Sequence, residues 1–261
     1  MTHVLITGAS SGIGAELAKL FASARVPMVL SATTRSADSL QRLAAALRAE
    51  VPGLDIRVFF ADLAEPDGAD HLITQIQEAG LQISQLVNNG GFGLLGLHQD
   101  QDDDKVRDML QVNVMALSRL STYFAKEMVR AGHGKILNLS SIAGYVVPHG
   151  LEAVYAASKA FVVSFSEGLA HDLIGTGVTC THLAPGPVKT LFFARAGLRD
   201  DRRIQSLYLS AQSVARQGFD GMQAGASVVI PGWKNKLMKV AAHFSPSKRL
   251  TAKIPGAVVS G

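Results

Sequence analysis

Tyr155 and Lys159 stand four residues apart in a segment, Ala153 to Leu173, that contains few helix breakers. On a helix that spacing sets both side chains on one face, with Cβ atoms roughly 5–6 Å apart. A phenol beside an ammonium is an acid/base device. The free phenol titrates at about 10, too high to exchange protons readily at neutral pH, and a neighbouring positive charge favours the phenolate. Bringing that value to about 7 takes roughly 4 kcal/mol, at about 1.4 kcal/mol per unit. One lysine in a partly dry site, helped by a second cation, can supply it. Ser141 lies 14 residues upstream of Tyr155, at the exit of a strand predicted over Lys135 to Ser140. A hydroxyl there could hydrogen-bond a carbonyl oxygen that the tyrosine protonates. Taken alone, Tyr-x-x-x-Lys is common by chance, so its meaning depends on the elements that position it.

Those elements begin at once. Val4-Leu-Ile-Thr7 is a short apolar run of the kind that forms a buried parallel strand. It is followed by Thr7-Gly8-Ala9-Ser10-Ser11-Gly12-Ile13-Gly14 and a helical pattern from Ala15 to Ala24. Strand, glycine-rich turn and helix in that order are the context for a phosphate cradle. The glycines let the backbone approach a pyrophosphate, and the amides and dipole of the helix N-terminus hold its charge. The spacing is Gly-x-x-x-Gly-x-Gly.

A second strand is predicted over Pro27 to Ala32. An NAD site usually places Asp or Glu about 20 residues past the glycines to hold the ribose hydroxyls. Here that position is Thr34, and the segment Ser31 to Ser36 offers hydroxyls and Arg35 but no acid. A guanidinium and small donors suit a 2′-phosphate, so the expected cofactor is NADP(H). The plain alternative is that Arg35 faces water.

Asp38 to Glu50 reads as an amphipathic helix with Leu40, Leu43 and Leu47 on one face. Ile56 to Phe60 is a third strand, ending in Ala61-Asp62-Leu63. Asp62 is expected either to touch an adenine amino group or to cap the helix that starts near Pro66. Gln85 to Asn88 is a fourth strand with a Gly-rich exit, Asn88-Asn89-Gly90-Gly91-Phe92-Gly93, which lets a flat ligand lie close to the backbone. Asp100 to Arg130 is a long helical region. Its acidic start (Asp100, Asp102, Asp103, Asp104) suits the positive end of a helix dipole and is read as a helix start, not a metal site. Asn113 inside it is unfavourable by propensity and is expected to loosen the helix and bind water or backbone. Gly175 and Gly177 end the tyrosine helix. Val178 to Leu183 is a sixth strand, followed by Ala184-Pro185-Gly186-Pro187-Val188-Lys189-Thr190, a sharp turn. Ser227 to Ile230 is a seventh.

Strands alternating with helices from end to end predict an α/β, doubly wound parallel sheet, a Rossmann fold of about seven strands, in a single domain over 1–261. Ligands then bind at the carboxyl ends of the strands, where each of these motifs falls. Residues 187–226 are expected to form a substrate lid, its 191–207 portion carrying Phe192, Phe193, Leu198 and Leu207 among several arginines. Residues 233–261 form a basic tail, read as packing on the body or staying loose in preference to touching a membrane surface.

Composition narrows the classes. With 25 basic and 21 acidic residues, the net charge of +4 is small. No basic stripe with interleaved aromatics precedes the C-terminal region, so no nucleic-acid partner is expected. The single cysteine, Cys180, forbids an internal disulfide and suits a reducing, cytoplasmic setting. The chain opens directly into a strand with no leader-like pattern. The eight histidines show no metal-ligand spacing, so no metal is expected.

Taken together, these residues resemble the short-chain dehydrogenase/reductases, in their shorter single-domain branch, over about Val4 to Ile230. Thr7 to Gly14, with Gly8, Ser10, Ser11, Gly12, Ile13 and Gly14, is similar to the family's cofactor turn. Asp62 and Leu63 match its adenine contact. Asn88-Asn89-Gly90-Gly91 resembles its Asn-Asn-Ala-Gly, with Gly90 as a departure that should loosen the strand exit without removing activity. Asn113, Ser141, Tyr155 and Lys159 match the catalytic tetrad, and Pro185, Gly186, Val188 and Thr190 match the segment that fixes the nicotinamide carboxamide.

The resemblance implies hydride transfer between nicotinamide and a carbonyl or alcohol carbon. Tyr155 would exchange the oxygen's proton and Ser141 would hold the oxygen. Lys159 would lower the tyrosine pKa and bind the nicotinamide ribose, and Asn113 would hold a water that links Lys159 to solvent. The expected substrate is a small, apolar ketone or aldehyde, reduced with NADPH, and the expected assembly a homodimer or homotetramer packed through the helices that hold Asn113 and Tyr155. Two other readings are an NADP(H)-binding sensor or scaffold without turnover, and an epimerase or enoyl reductase on the same fold. Retention of both Tyr155 and Lys159 argues against the first. The glycine spacing and the tight Tyr-x-x-x-Lys argue against the second.

Overall fold

The computed structural model describes residues 1–94, 96–146, 153–189 and 208–244, without the side chains of 189 and 242–244. Its centre is a seven-stranded sheet of β1 (Thr2–Thr7), β2 (Met28–Ala32), β3 (Ile56–Phe60), β4 (Gln82–Asn88), β5 (Gly134–Leu139), β6 (Val178–Leu183) and a short edge strand Val228–Val229. The spatial order is β3-β2-β1-β4-β5-β6 and then the edge strand, and every pairing is parallel. The connections run outward in both directions from β1 and β4, and the crevice at their carboxyl ends is where such a sheet binds ligands.

Alternation along the strands fills two separate cores. Val4, Ile6, Met28 and Leu30 face α1 (Gly12–Ser23) and α2 (Ala37–Glu50), while Leu5 and Val29 face α3 (Gly68–Glu78) on the other side. Because both faces are covered, β1, β2, β5 and β6 bury nearly all of their residues. β2 is buried at all five of its residues. The second face is completed by α5 (Leu117–Ala131) and α6 (Ala153–Asp172), while α4 (Asp103–Leu110) sends Met109 into a separate small cluster with Tyr155.

The acidic run does start a helix: Asp102 is the N-cap of α4, and its Oδ1 accepts from the amides of Asp104 and Lys105. The long helical region around it is not one α-helix. Residues Gln111–Ala116 form a π-helical turn between α4 and α5, with Asn113 inside it. The loosening expected of Asn113 therefore takes a definite form.

The segment expected to be a lid divides. Val188–Lys189 (β7) pairs with Leu209–Ser210 (β8) as a small parallel ribbon. Ala211–Ala224 (α7) belongs to the body: Val214, Ala215, Gly218 and Met222 are buried, and Phe219 packs edge-on against Phe21 of α1 at 4.9 Å. The Phe- and Arg-bearing stretch 191–207 and Thr190 lie outside the described residues. The edge strand, β9, is Val228–Val229, shorter than expected. After it the tail forms α8 (Trp233–Phe244), and residues 245–261 lie outside the described residues. Among the described residues no helix is long and apolar enough to cross a membrane.

Candidate active site

The glycine turn is held from the neighbouring strand. Asn89, just past β4, donates from Nδ2 to the carbonyls of Thr7 (3.0 Å) and Gly8 (2.9 Å). The Thr7 hydroxyl accepts from the amides of Asn89 and Gly90. Gly8 adopts φ +61°, and a Cβ on Gly14 would fall 2.4 Å from Asn89 Nδ2. Glycine is therefore required at both positions, at one by conformation and at the other by space. Ser11 is the N-cap of α1, and its side chain makes no capping hydrogen bond. The first amides of α1 and an unengaged hydroxyl thus converge at the positive end of a helix, a pre-built anion site. Asn89 is engaged in shaping that turn.

At the next strand ends outward, Arg35 lies in a turn over Thr34–Ser36. Its Nη2 is 3.1 Å from Asp62 Oδ2, and its side chain is 79% exposed. Asp62 also accepts from the amide of Ala64 at 3.1 Å. It caps its own turn and not α3, which begins at Gly68 after Asp67. An exposed pair of this kind contributes little to stability and leaves the guanidinium's remaining donors at the crevice rim.

The acid/base group gathers around Lys159. Its side chain is buried at 6% exposure, and Nζ donates to the carbonyl of Leu139 at 3.0 Å. Nζ lies 5.8 Å from the centroid of the Tyr155 ring. Burial lowers the lysine pKa from its ordinary value to about 8, because the charged form has lost its water. A Cβ on Gly91 would sit 2.8 Å from Asn113 Oδ1 and 3.4 Å from Lys159 Nζ. The glycine at the β4 exit thus leaves the space onto which both side chains converge.

Asn113 clamps the same exit. Oδ1 accepts from the Phe92 amide at 3.2 Å, and Nδ2 donates to the Phe92 carbonyl at 2.9 Å and to Ser158 Oγ at 3.1 Å. Ser158 Oγ donates to the carbonyl of Tyr155. The π-turn, the strand exit and the tyrosine helix are locked by one amide. Irregular helix at such a point is a common device for aiming a side chain.

Ser141 caps a short turn, Ile142–Gly144, its Oγ accepting from the amide of Ala143 at 3.2 Å. A Cβ on Gly144 would meet the Lys159 carbonyl at 2.6 Å, so this turn rests directly on the backbone of α6. Tyr155 joins Met109, Ala143 and Ala156 in a small apolar cluster against which Phe92 and Leu94 pack. The amide of Ile142 donates to the Pro185 carbonyl at 2.9 Å, which ties the serine turn to Pro185-Gly186. The structure therefore brings Asn113, Ser141, Tyr155 and Lys159 together beside Gly91 and Pro185, at the carboxyl ends of the central strands. Val188 is buried in β7. Of the residues expected at the site, Thr190 alone falls outside the described residues.

Sequence reasoning missed two supporting networks. Asn88 Nδ2 donates to Asn138 Oδ1 (2.9 Å) and Ser121 Oγ (2.8 Å), and Asn138 Nδ2 donates to Ser166 Oγ (3.0 Å). This buried ladder fastens α5 and α6 to the ends of β4 and β5. Its signal was an asparagine inside each of two apolar strand runs. The second network lies behind the serine turn. Tyr145 Oη and His182 Nε2 are 2.6 Å apart, Lys239 Nζ stands 4.8 Å over the Tyr145 ring, and the buried Asn235 would collide with a Cβ on Gly186. The tail helix α8 is thus one wall of the site region.

With this geometry in hand, known proteins can be compared. The family described as short chain dehydrogenase matches residues 2–200. Sulfoacetaldehyde reductase of Chromohalobacter salexigens is 35% identical over 226 residues, covering 83% of this chain and 86% of the relative. A short-chain dehydrogenase from Sphingobium yanoikuyae in complex with NADPH superposes with a TM-score of 0.82 at 30% identity, covering 93% of this chain and 94% of that one. A short-chain dehydrogenase/reductase from Burkholderia phymatum in complex with NAD gives a TM-score of 0.81 at 25% identity, covering 94% and 96%. The chain belongs to the short-chain dehydrogenase/reductase family of oxidoreductases.

Burying an ammonium costs stability, and the sign follows from the lowered pKa. Between about 8, the folded value, and the ordinary lysine value of about 10.4, the unfolded chain binds more protons, so stability rises with pH across that window. Lys159→Met removes the buried charge but strips the Leu139 carbonyl of its donor. The expected net gain at pH 7 is roughly 1–2 kcal/mol, a few degrees in Tm, shrinking as pH approaches 10. Calorimetry of both proteins at pH 7 and 9.5 checks this. A variant less stable at both values contradicts it.

Proposed function

We propose that this protein is an NADP(H)-dependent carbonyl reductase that acts on a fairly apolar ketone or aldehyde. The observation that carries the reading is the buried Lys159 ammonium beside the Tyr155 ring, facing the space left by Gly91. The glycine turn fits a dinucleotide on the structure's own terms: Gly8 and Gly14 cannot bear a Cβ, and the α1 amides await an anion. Gly8, Ser10, Ser11, Gly12, Ile13 and Gly14 would hold the pyrophosphate end, and Thr34 and Arg35 a 2′-phosphate. Asp62, Leu63, Gly90 and Gly91 would border the adenosine and ribose, and Pro185, Gly186 and Val188, with Thr190, the carboxamide. When bound, the nicotinamide supplies or accepts the hydride.

The chain's own residues do the rest. Tyr155 gives its hydroxyl proton to the carbonyl oxygen during reduction and takes it back in the reverse direction. Lys159, held by the Leu139 carbonyl, stabilises the phenolate left behind. Ser141, whose oxygen already accepts from Ala143, keeps its own proton to donate to the substrate oxygen. Asn113 Oδ1 retains a second lone pair beside the Gly91 space, where a water would connect Lys159 to solvent. Met109, Phe92 and Leu94 around Tyr155 offer apolar contact, which is the support for an apolar substrate. The relative that reduces sulfoacetaldehyde shows that the family's substrates also include a charged aldehyde. The free, buried thiol of Cys180 suits a reducing cytoplasmic setting.

The reading includes a homodimer or homotetramer. Val129 of α5 and Phe161 of α6 are 40% and 39% exposed, and Phe161 stacks on Phe165 at 5.7 Å. Together with Lys126 and Leu169 they line an open apolar groove along both helices, which the same groove of a second copy would close.

Three outcomes test the proposal. Tyr155→Phe should lower NADPH-dependent reduction of a carbonyl panel by about a thousandfold or more with NADPH binding intact; equal turnover in both proteins refutes the assignment. Arg35→Gln should raise the KM for NADPH about tenfold or more and leave that for NADH nearly unchanged. Equal effects on the two cofactors would remove Arg35 from the 2′-phosphate. Light scattering should give a dimer or tetramer that Phe161→Glu splits into smaller species; an unaltered mass sinks the groove as the contact.

A further inference from the structure

The helix α8 presents two faces of opposite use. At about 100° per residue, Asn235 and Met238 share one side. Asn235 is buried against Gly186 and donates to the Pro231 carbonyl, and Met238 packs on Ile142 and Val146. Trp233, Leu237 and Val240 fall within a roughly 60° arc on the opposite side. They are 71%, 61% and 52% exposed. Three large apolar side chains in one stripe on a single helix are not the scattered exposure usual on a soluble surface. Lys234 and Lys236 flank the stripe on either side. Lys239 lies farther round, over Tyr145.

The charge of the surrounding chain supplies the second observation. Residues 221–261 contain Lys234, Lys236, Lys239, Lys248, Arg249 and Lys253, and no Asp or Glu. The whole of the chain's +4 excess resides in this segment; the remainder is slightly acidic. A tryptophan-led apolar stripe, bordered by lysines, in an acid-free region is the pattern of a helix that lies in the headgroup layer of an anionic bilayer.

We propose that α8 is a peripheral membrane-docking surface, which seats on anionic phospholipid through Trp233, Leu237 and Val240 with Lys234 and Lys236 on the phosphates. The body-facing side stays on Gly186 and Ile142. The backbone of Ile142 and Gly186 therefore lies about one helix diameter, roughly 10 Å, beneath the lipid contact. Docking of this kind brings the site's rim to a surface in which apolar carbonyl compounds concentrate. The inference stands on the helix and its charge, and does not depend on the identity of the substrate.

Trp233 is the only tryptophan of the chain, so its fluorescence reads the stripe directly. The full-length protein is titrated with vesicles of phosphatidylcholine alone and of phosphatidylcholine with about 30% phosphatidylglycerol, at low and high salt, with co-sedimentation in parallel. The expected result is a blue shift and co-sedimentation with the anionic vesicles. Binding should weaken about tenfold or more in 0.5 M salt or in Lys234→Glu/Lys236→Glu. It should be lost in Leu237→Glu, whose circular dichroism and thermal melt match the parent.

Absence of any shift at high lipid overturns the proposal, as does equal binding to the neutral vesicles. An emission already blue without lipid and insensitive to it would mean that residues 245–261 or a second copy cover the stripe, and overturns it too. Tight binding of an acidic protein that leaves vesicle binding absent would reassign the lysines to a protein partner.

Discussion

An ammonium buried beside a phenol is the constraint around which this molecule is arranged. Holding the Lys159 pKa at about 8 amounts to roughly 3 kcal/mol of penalty on the charged form relative to water. The fold bears it because the carbonyl that accepts from Nζ, that of Leu139, belongs to the last residue of a central strand and cannot move away. A lysine on a loop would swing to solvent and regain its hydration. On the second turn of a long helix, with the serine turn resting on its own carbonyl, Lys159 has no such path.

That requirement explains features that look unrelated. Gly144 is a glycine because a Cβ would strike the Lys159 main chain, and Gly91 because a Cβ would strike Asn113 Oδ1 first and crowd Lys159 Nζ second. The π-turn at Gln111–Ala116 places the Asn113 amide where it can bracket Phe92 and reach Ser158. The Asn88–Asn138 ladder then fixes α5 and α6 on the strand ends. Buried polar groups of this kind specify position only when they are well partnered. Here both amide nitrogens are partnered, while Asn88 Oδ1 has no partner among the described residues, and the ladder ties the two helices to the strand ends.

The sheet, the glycine-rich turn and the Tyr155–Lys159 pairing on one helix were legible in the sequence because they are local: an apolar run, a glycine spacing, a four-residue helical offset. β3 and β6 were placed to the residue, at Ile56–Phe60 and Val178–Leu183. What was not legible depends on contacts between distant segments. Nothing near Asn89 says that its amide holds the turn 82 residues earlier. Residues 211–224 fall within the stretch expected to be a lid, and their packing against Phe21 makes them body. The tail reads as basic and partly amphipathic, and which of its faces turns inward emerged only once Asn235 and Met238 were seen to pack on the body.

The second network clarifies where the site's response to pH originates. His182 is buried and pushed down to about 4, by desolvation first and by the nearby Lys239 charge second. It is therefore neutral throughout the physiological range. Burial drives the Tyr145 hydroxyl, its hydrogen-bond partner, far above the ordinary phenol value, with a push from Glu167. Neither group changes charge between pH 5 and 9, so the wall behind Ser141 is electrostatically constant while the serine turn rests on it. Among the described groups lining this region, Lys159 has its midpoint displaced into that interval, and its Nζ lies 5.8 Å from the centroid of the Tyr155 ring. The serine turn therefore rests on a wall of constant charge while the cation on α6 titrates.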